Sequence, residues 1–188
     1  MHPRLSSTGV AGLFLTLALA CPLVSPLLHA QRREAALSEG EIEQLRDADY
    51  VPTDRVLVFI KFLDARTKAI QDLFAKPRRP GREQDAHDLF EQFTAVADEF
   101  DDNLDDYGTG HRDIRKALPK LLEATDRWSS ALKSPPDDEA YNVSRKLALE
   151  SIRDIREAAT HLVEDQKTWF AAHPPPKDDP NRPAIAPR

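Results

Sequence analysis

The sequence predicts an all-α protein: an antiparallel up-down-up-down four-helix bundle with a short extra helix at its N-terminal side. Three observations carry that expectation. Apolar residues recur at three- and four-residue spacing through most of the chain after residue 38, short Pro/Gly clusters separate the periodic runs, and no segment alternates with the two-residue period of a strand. The bundle region, 31–173, lies between an apolar head, 1–30, and a proline-rich tail, 174–188, so the 188-residue chain holds one domain of ordinary size.

The head reads as a secretory signal. Leu5 to Leu28 carries no charged residue, and only Arg4 and the amino terminus are positive before it. Cleavage after Ala30 leaves Gln31 as the first mature residue, with Leu28 larger than the small residue usual three positions from the cut. Two other readings compete for the same residues. "LALAC" ends on the only cysteine, Cys21, and resembles a lipoprotein box whose cysteine is lipidated. An uncharged run longer than about 20 residues can also remain as an uncleaved anchor, although Pro22 and Pro26 disrupt its second half. All three readings export the rest of the chain, to the periplasm or beyond.

No cysteine follows Cys21, so no disulfide is expected and stability must come from packing. Removing residues 1–30 takes away Arg4 and no acid, leaving 25 Lys and Arg against 32 Asp and Glu, a charge of −7. That sign favours solubility and argues against nucleic acid as the main partner.

The elements follow in order. "LSEGEIEQLRDA" opens with Ser38 and Glu41 at capping-box spacing and predicts a helix of about ten residues with Ile42 and Leu45 on one side. "DYVPTD" breaks it and offers Thr53 or Asp54 as the next cap. The second helix, 54–75, carries Val56, Phe59, Ile60, Leu63, Thr67, Ile70 and Phe74 on one stripe. A second stripe, Val58, Phe62, Ala65 and Ala69, needs a cover, either the first helix or a partner subunit.

The basic loop "KPRRPGR", Lys76 to Arg82, leads to a third helix, 83–107, with Leu89, Phe90, Phe93, Val96, Ala97, Phe100, Leu104 and Tyr107 inward. "GTG" closes it. A fourth helix is expected from His111 to Lys133, with Ile114, Leu118, Leu121, Leu122, Thr125, Trp128 and Leu132 inward and a kink at Pro119. "SPPDDE" turns the chain, with Asp137 as a cap. The last helix, 138–172, is read with Leu147, Ser151, Ile155, Ala158, Leu162 and Trp169 on its inner stripe, broadened by Ile152, Val163 and Phe170. Its Trp169 end is expected beside the start of the second helix. The tail after His173 holds six prolines and is expected to be disordered.

"DEFDDNLDDYGTGH", Asp98 to His111, is the most unusual stretch. As a calcium loop it fails: counted from Asp101, the glycine position is Asp106 and the closing Glu position is Arg112. As a helix it works, because Asp98, Glu99, Asp101, Asp102, Asp105 and Asp106 fall opposite the Phe93–Phe100 stripe, in water. Acids at a helix C-terminus oppose its dipole, and Arg112 and Arg115 follow across the turn. Asp105 or Asp106 is expected to pair with one of them.

The metal candidates lie in "EAATHLVED", where Glu157, His161, Glu164 and Asp165 follow one another at spacings of four, three and one. Solvated charge explains the same pattern. Di-iron Glu-x-x-His pairs, C-x-x-C-H, H-E-x-x-H and phosphate-cradling glycine motifs are absent from the sequence. The expectation is therefore an exported, non-enzymatic bundle that serves as an envelope interaction or scaffold protein, with coiled-coil-like helix packing and no cofactor. Its partner is a protein or another envelope component, and it meets a membrane only through an uncleaved or lipidated N-terminus. The alternative is an extracytoplasmic bundle that binds a metal or small ligand.

Overall fold

The computed structural model describes residues 36–174; the signal cleavage at Ala30, lipidation at Cys21 and the tail beyond Pro174 lie outside the described residues. Within them the chain is all-helical: α1 (Glu39–Asp47), α2 (Pro52–Ala75), α3 (Arg82–Thr109), α4 (Leu118–Lys133) and α5 (Asn142–Ala172). No helix among them is long and apolar enough to cross a membrane.

Helix α1 starts where its capping box requires. The Ser38 hydroxyl accepts from the Glu41 N–H, and the Glu41 carboxylate accepts from the Ser38 N–H at 2.9 Å. The helix packs on α2 alone among the helices, burying Leu45 and covering Phe62 while Ile42 stays 42 % exposed. Glu41 and Arg66 form a largely buried ion pair across this contact. Of the second stripe of α2, Phe62 is buried and Val58 and Ala69 half-buried, while Ala65 stays exposed, so the first helix covers that stripe only in part. The next start differs from expectation: Pro52 occupies the first turn of α2, and neither Thr53 nor Asp54 caps it. The Thr53 hydroxyl instead donates to the Asp113 carbonyl at 3.3 Å.

The four longer helices bury one apolar core. Phe59 and Phe100 stack at 4.8 Å, and Phe93 meets Trp128 edge-on. Helix α2 packs closely against α3 and α4, and α5 against the same two, while α2 and α5 do not come close and α3 and α4 meet only through large core side chains such as Phe93 and Trp128. These latter pairs lie across the diagonals.

The registers give the directions. Arg55 meets Asn103 and Arg82 meets Phe74, so α2 and α3 are antiparallel. Thr53 meets Asp113 and Asp64 meets Trp128, so α2 and α4 are parallel. By the same reasoning α3 and α5 are parallel, with Phe90 beside Tyr141 and Asp98 beside Ser151. The Trp169 end of α5 therefore lies at the same end of the bundle as the start of α2, as helix order suggested, but diagonally across from it and not beside it.

The chain crosses the diagonal between α3 and α4, and Pro119 explains how. A proline inside a helix removes a hydrogen bond and clashes with the preceding turn, whereas in the first turn it costs nothing. Pro119 sits in the first turn of α4, so it starts that helix and does not kink it. Residues 111–117 are non-helical, irregular through 112–114 and turning at 115–117, with Ile114 fully buried. Asp137 likewise caps nothing, because α5 begins only at Asn142.

Candidate functional site

The outer face of α3 is the most strongly charged feature of the described residues. The helix continues to Thr109 and buries Phe93, Val96, Ala97, Phe100, Leu104 and Tyr107. That phase turns Asp98, Glu99, Asp102, Asp105 and Asp106 into solvent. None of the six acids from Asp98 to Asp106 forms an ion pair among the described residues.

Asp101 corrects the expectation that every acid lies in water. It is only partly exposed, at the seam with α5, and its Oδ1 is buried without a hydrogen-bond partner. Burial raises its carboxyl above the ordinary range, and Asp105, Asp154, Asp102 and Asp98 raise it further. Asp154 comes from the neighbouring helix, so the acidic face spans two elements. Ser151 of α5 donates to Asp98 at 2.9 Å, tying the seam at one point.

The expected pairing of Asp105 or Asp106 with Arg112 or Arg115 does not occur. Arg112 donates to the Asp49 carbonyl at 2.9 Å and lies over the Tyr107 ring. Arg115 is held by both oxygens of Asp113, at 2.9 and 2.7 Å, and lies 4.3 Å from the Phe170 ring centroid. That bidentate contact keeps the Asp113 carboxyl below its usual range. Because residues 111–117 leave the helical path, they carry the arginines toward α1, α2 and α5 and away from the acids. The "GTG" turn is closed by its backbone: the Gly110 N–H donates to the Asp106 carbonyl at 2.9 Å. A Cβ on Gly110 would meet that same oxygen at 2.9 Å, which explains the glycine.

The metal candidates are exposed on α5. His161 Nε2 lies 4.0 Å from Glu157, and Glu164 pairs loosely with Lys167 at 3.8 Å. Asp165 is also exposed. No other helix brings a ligand to them, and among the described residues no group of three His, Cys, Asp or Glu side chains could hold a metal ion.

The arginines of the basic loop are paired where they stand: Arg78 and Arg82 both reach Glu83, at 3.0 and 3.6 Å, and Arg79 pairs with Asp85. Two open depressions flank α4, of about 580 and 470 Å³; the larger is lined by Gln71, Asp126, Arg127, Ser130, Ala131 and Ser134. The fully buried Trp128 has its indole N–H satisfied by Asp64 at 2.7 Å, as a core residue requires.

Two features escaped the sequence reading. The Asp101 seam depends on which helix lies beside α3, and periodicity does not say. Gln166, only 2 % exposed, sits on the buried stripe of α5 and binds the crossing segment. A signal for it exists: it falls in the repeat Ile152, Ile155, Ala159, Leu162, Gln166. No protein-family model, no curated protein and no solved structure matches the chain.

Proposed function

We infer that this chain is an exported, non-enzymatic helical-bundle protein that acts through its surface, as an interaction or scaffold protein of the cell envelope, in the periplasm or outside the cell. The observation that carries the reading is the acidic face of α3. Six carboxylates crowd one helix without a compensating cation among the described residues, and one of them has a buried oxygen with no partner. Like charges at such spacing destabilise a helix, and packing of the core does not require them. A cationic surface on a partner relieves that repulsion and gives the face a use. Export is supported by the uncharged Leu5–Leu28 head behind Arg4. In its finer architecture the fold is an up-down-up-down bundle whose α3–α4 connection runs diagonally.

The test is affinity capture from envelope extracts with the mature chain and with the variant Asp98→Asn, Asp102→Asn, Asp105→Asn, Asp106→Asn. The expected partner is held by the unmodified chain, released by salt, and lost with the variant. Equal capture by both chains overturns the role of the acidic face. Mass spectrometry of the N-terminus distinguishes cleavage after Ala30, lipidation at Cys21 and an intact anchor, while recovery from the cytoplasm alone overturns export. Stoichiometric metal in untagged protein, lost in His161→Ala, replaces this reading with the ligand-binding one.

A further inference from the structure

At the bundle end where α3 and α5 finish, the indole of Trp169 lies between two imidazoles. The His111 ring stacks on it at 3.6 Å between centroids, 8° from parallel, and the His173 ring at 3.8 Å and 19°. His111 is the one non-glycine residue with positive φ among the described residues, at 48°. That left-handed backbone is more accessible to histidine than to most residues, and here it delivers the ring from the crossing segment onto α5. His173 arrives as the C-cap of α5. Its backbone N–H and its ring Nδ1 both meet the Trp169 carbonyl, at 2.9 and 3.0 Å.

A neutral imidazole on indole is an ordinary aromatic stack, and an imidazolium adds the attraction between a cation and the π face. The His173 Nδ1 faces a carbonyl oxygen, so it needs a hydrogen. The imidazolium always carries one there, the neutral ring in only one tautomer. Both rings also adjoin helix C-termini, where positive charge is favoured; α3 and α5 are parallel and end together.

Charges of both signs surround the stack. Asp105 and Asp106 stand on the last turns of α3, and Asp165 one turn before Trp169. Arg115 lies over Phe170, itself neutralised by Asp113, and Arg112 is anchored at the Asp49 carbonyl. Lys116 lies on the same segment, and Lys167 on α5 is near Glu164. The two imidazoliums are exposed and separated by the indole, so water and salt screen their repulsion.

We propose that His111, Trp169 and His173 form a proton-responsive clasp that fastens the α3–α4 crossing segment to the end of α5 more tightly in acid than at neutral pH. Acid charges both imidazoles, and the exposed stack becomes two cation–π contacts sharing one indole.

Amide hydrogen exchange in the full chain tests this at about pH 5.5 and about pH 7.5, on either side of the imidazole range. The reporters are the N–H groups of Arg112 and His173, bonded to the Tyr107 and Trp169 carbonyls. After correction for the intrinsic pH dependence of exchange, protection is expected to be about threefold greater in acid, the factor one exposed cation–π contact supplies. His111→Asn with His173→Gln removes both rings while asparagine tolerates the left-handed backbone. His111→Phe with His173→Phe keeps two flat rings that cannot be charged. Both double variants should show equal protection at the two pH values. Equal protection in the unmodified chain, or a difference that survives in either variant, overturns the proposal.

Discussion

Gln166 on α5 accepts the buried N–H of Ile114 at 3.1 Å, and its amide nitrogen donates to the Arg112 carbonyl at 2.8 Å. One side chain thus satisfies two backbone groups of the segment that crosses the bundle. A segment outside a helix must find such partners or lose stability. Replacing Gln166 with Leu leaves both backbone groups without a partner and is expected to cost about 2–4 kcal/mol, read as a lower urea midpoint. Gln166→Glu should be worse at neutral pH than near pH 4, because only the protonated acid can still donate to Arg112.

Glu41 is expected to make the docking of α1 acid-sensitive. Its hydrogen bonds to Arg66 hold its carboxyl at about 2, with burial opposing and Ser38 assisting. Because the folded value is depressed, the stabilisation is complete above the unfolded value near 4.5 and disappears as pH falls through about 2. The loss, about 1–3 kcal/mol, should appear as faster exchange of α1 amides over that window. Glu41→Gln should flatten the dependence.

Asp101 works in the opposite direction. Its raised carboxyl means that the penalty is absent below the unfolded value near 3.8 and grows as pH rises through the folded value. Asp101→Asn is therefore expected to raise the melting temperature at pH 7, with a gain of about 0.5–1 kcal/mol. The advantage should vanish in acid, where both side chains are neutral. A variant less stable than the parent at pH 7 would falsify this account of the seam.

Tyr107 is 1 % exposed, and its hydroxyl has no hydrogen-bond partner. An orphaned buried donor costs about 1–3 kcal/mol, so Tyr107→Phe should be neutral or stabilising in thermal melts. Loss of stability would mean that the hydroxyl has a partner, such as an internal water.

Where large side chains mark the core, the sequence was readable. The stripes of α2 and α3 were found nearly residue for residue, because Phe59, Leu63, Phe93 and Phe100 dominate any periodicity. Helix α5 was read only partly in phase. Ile152, Ile155 and Leu162 do lie on its buried stripe, but so do Ser144, Ala148, Ala159 and Gln166, while Leu147 is 48 % exposed.

Small residues carry little hydrophobic weight, yet they let parallel helices approach. A Cβ on Gly108 of α3 would come within 3.2 Å of Leu162. Pro119 was ambiguous for a related reason: a proline on the outer face fits both a kink and a first turn. The fate of the acids and arginines around "GTG" needed the crossing itself, which no local pattern encodes.

The diagonal crossing also has a kinetic meaning. Its tertiary partners are far apart in the chain: Asp98 with Ser151, Asp64 with Trp128, and Ile114 with Gln166 are separated by 53, 64 and 52 residues. A meander of successive hairpins could gain stability one hairpin at a time, but here α3 does not pack closely on α4, which it meets only across the core, and gains its second close neighbour only with α5. Long loops must close before those contacts repay them, which slows folding relative to a local bundle. A chain threaded through a membrane from its N-terminus would therefore stay pliable until its last helix had emerged.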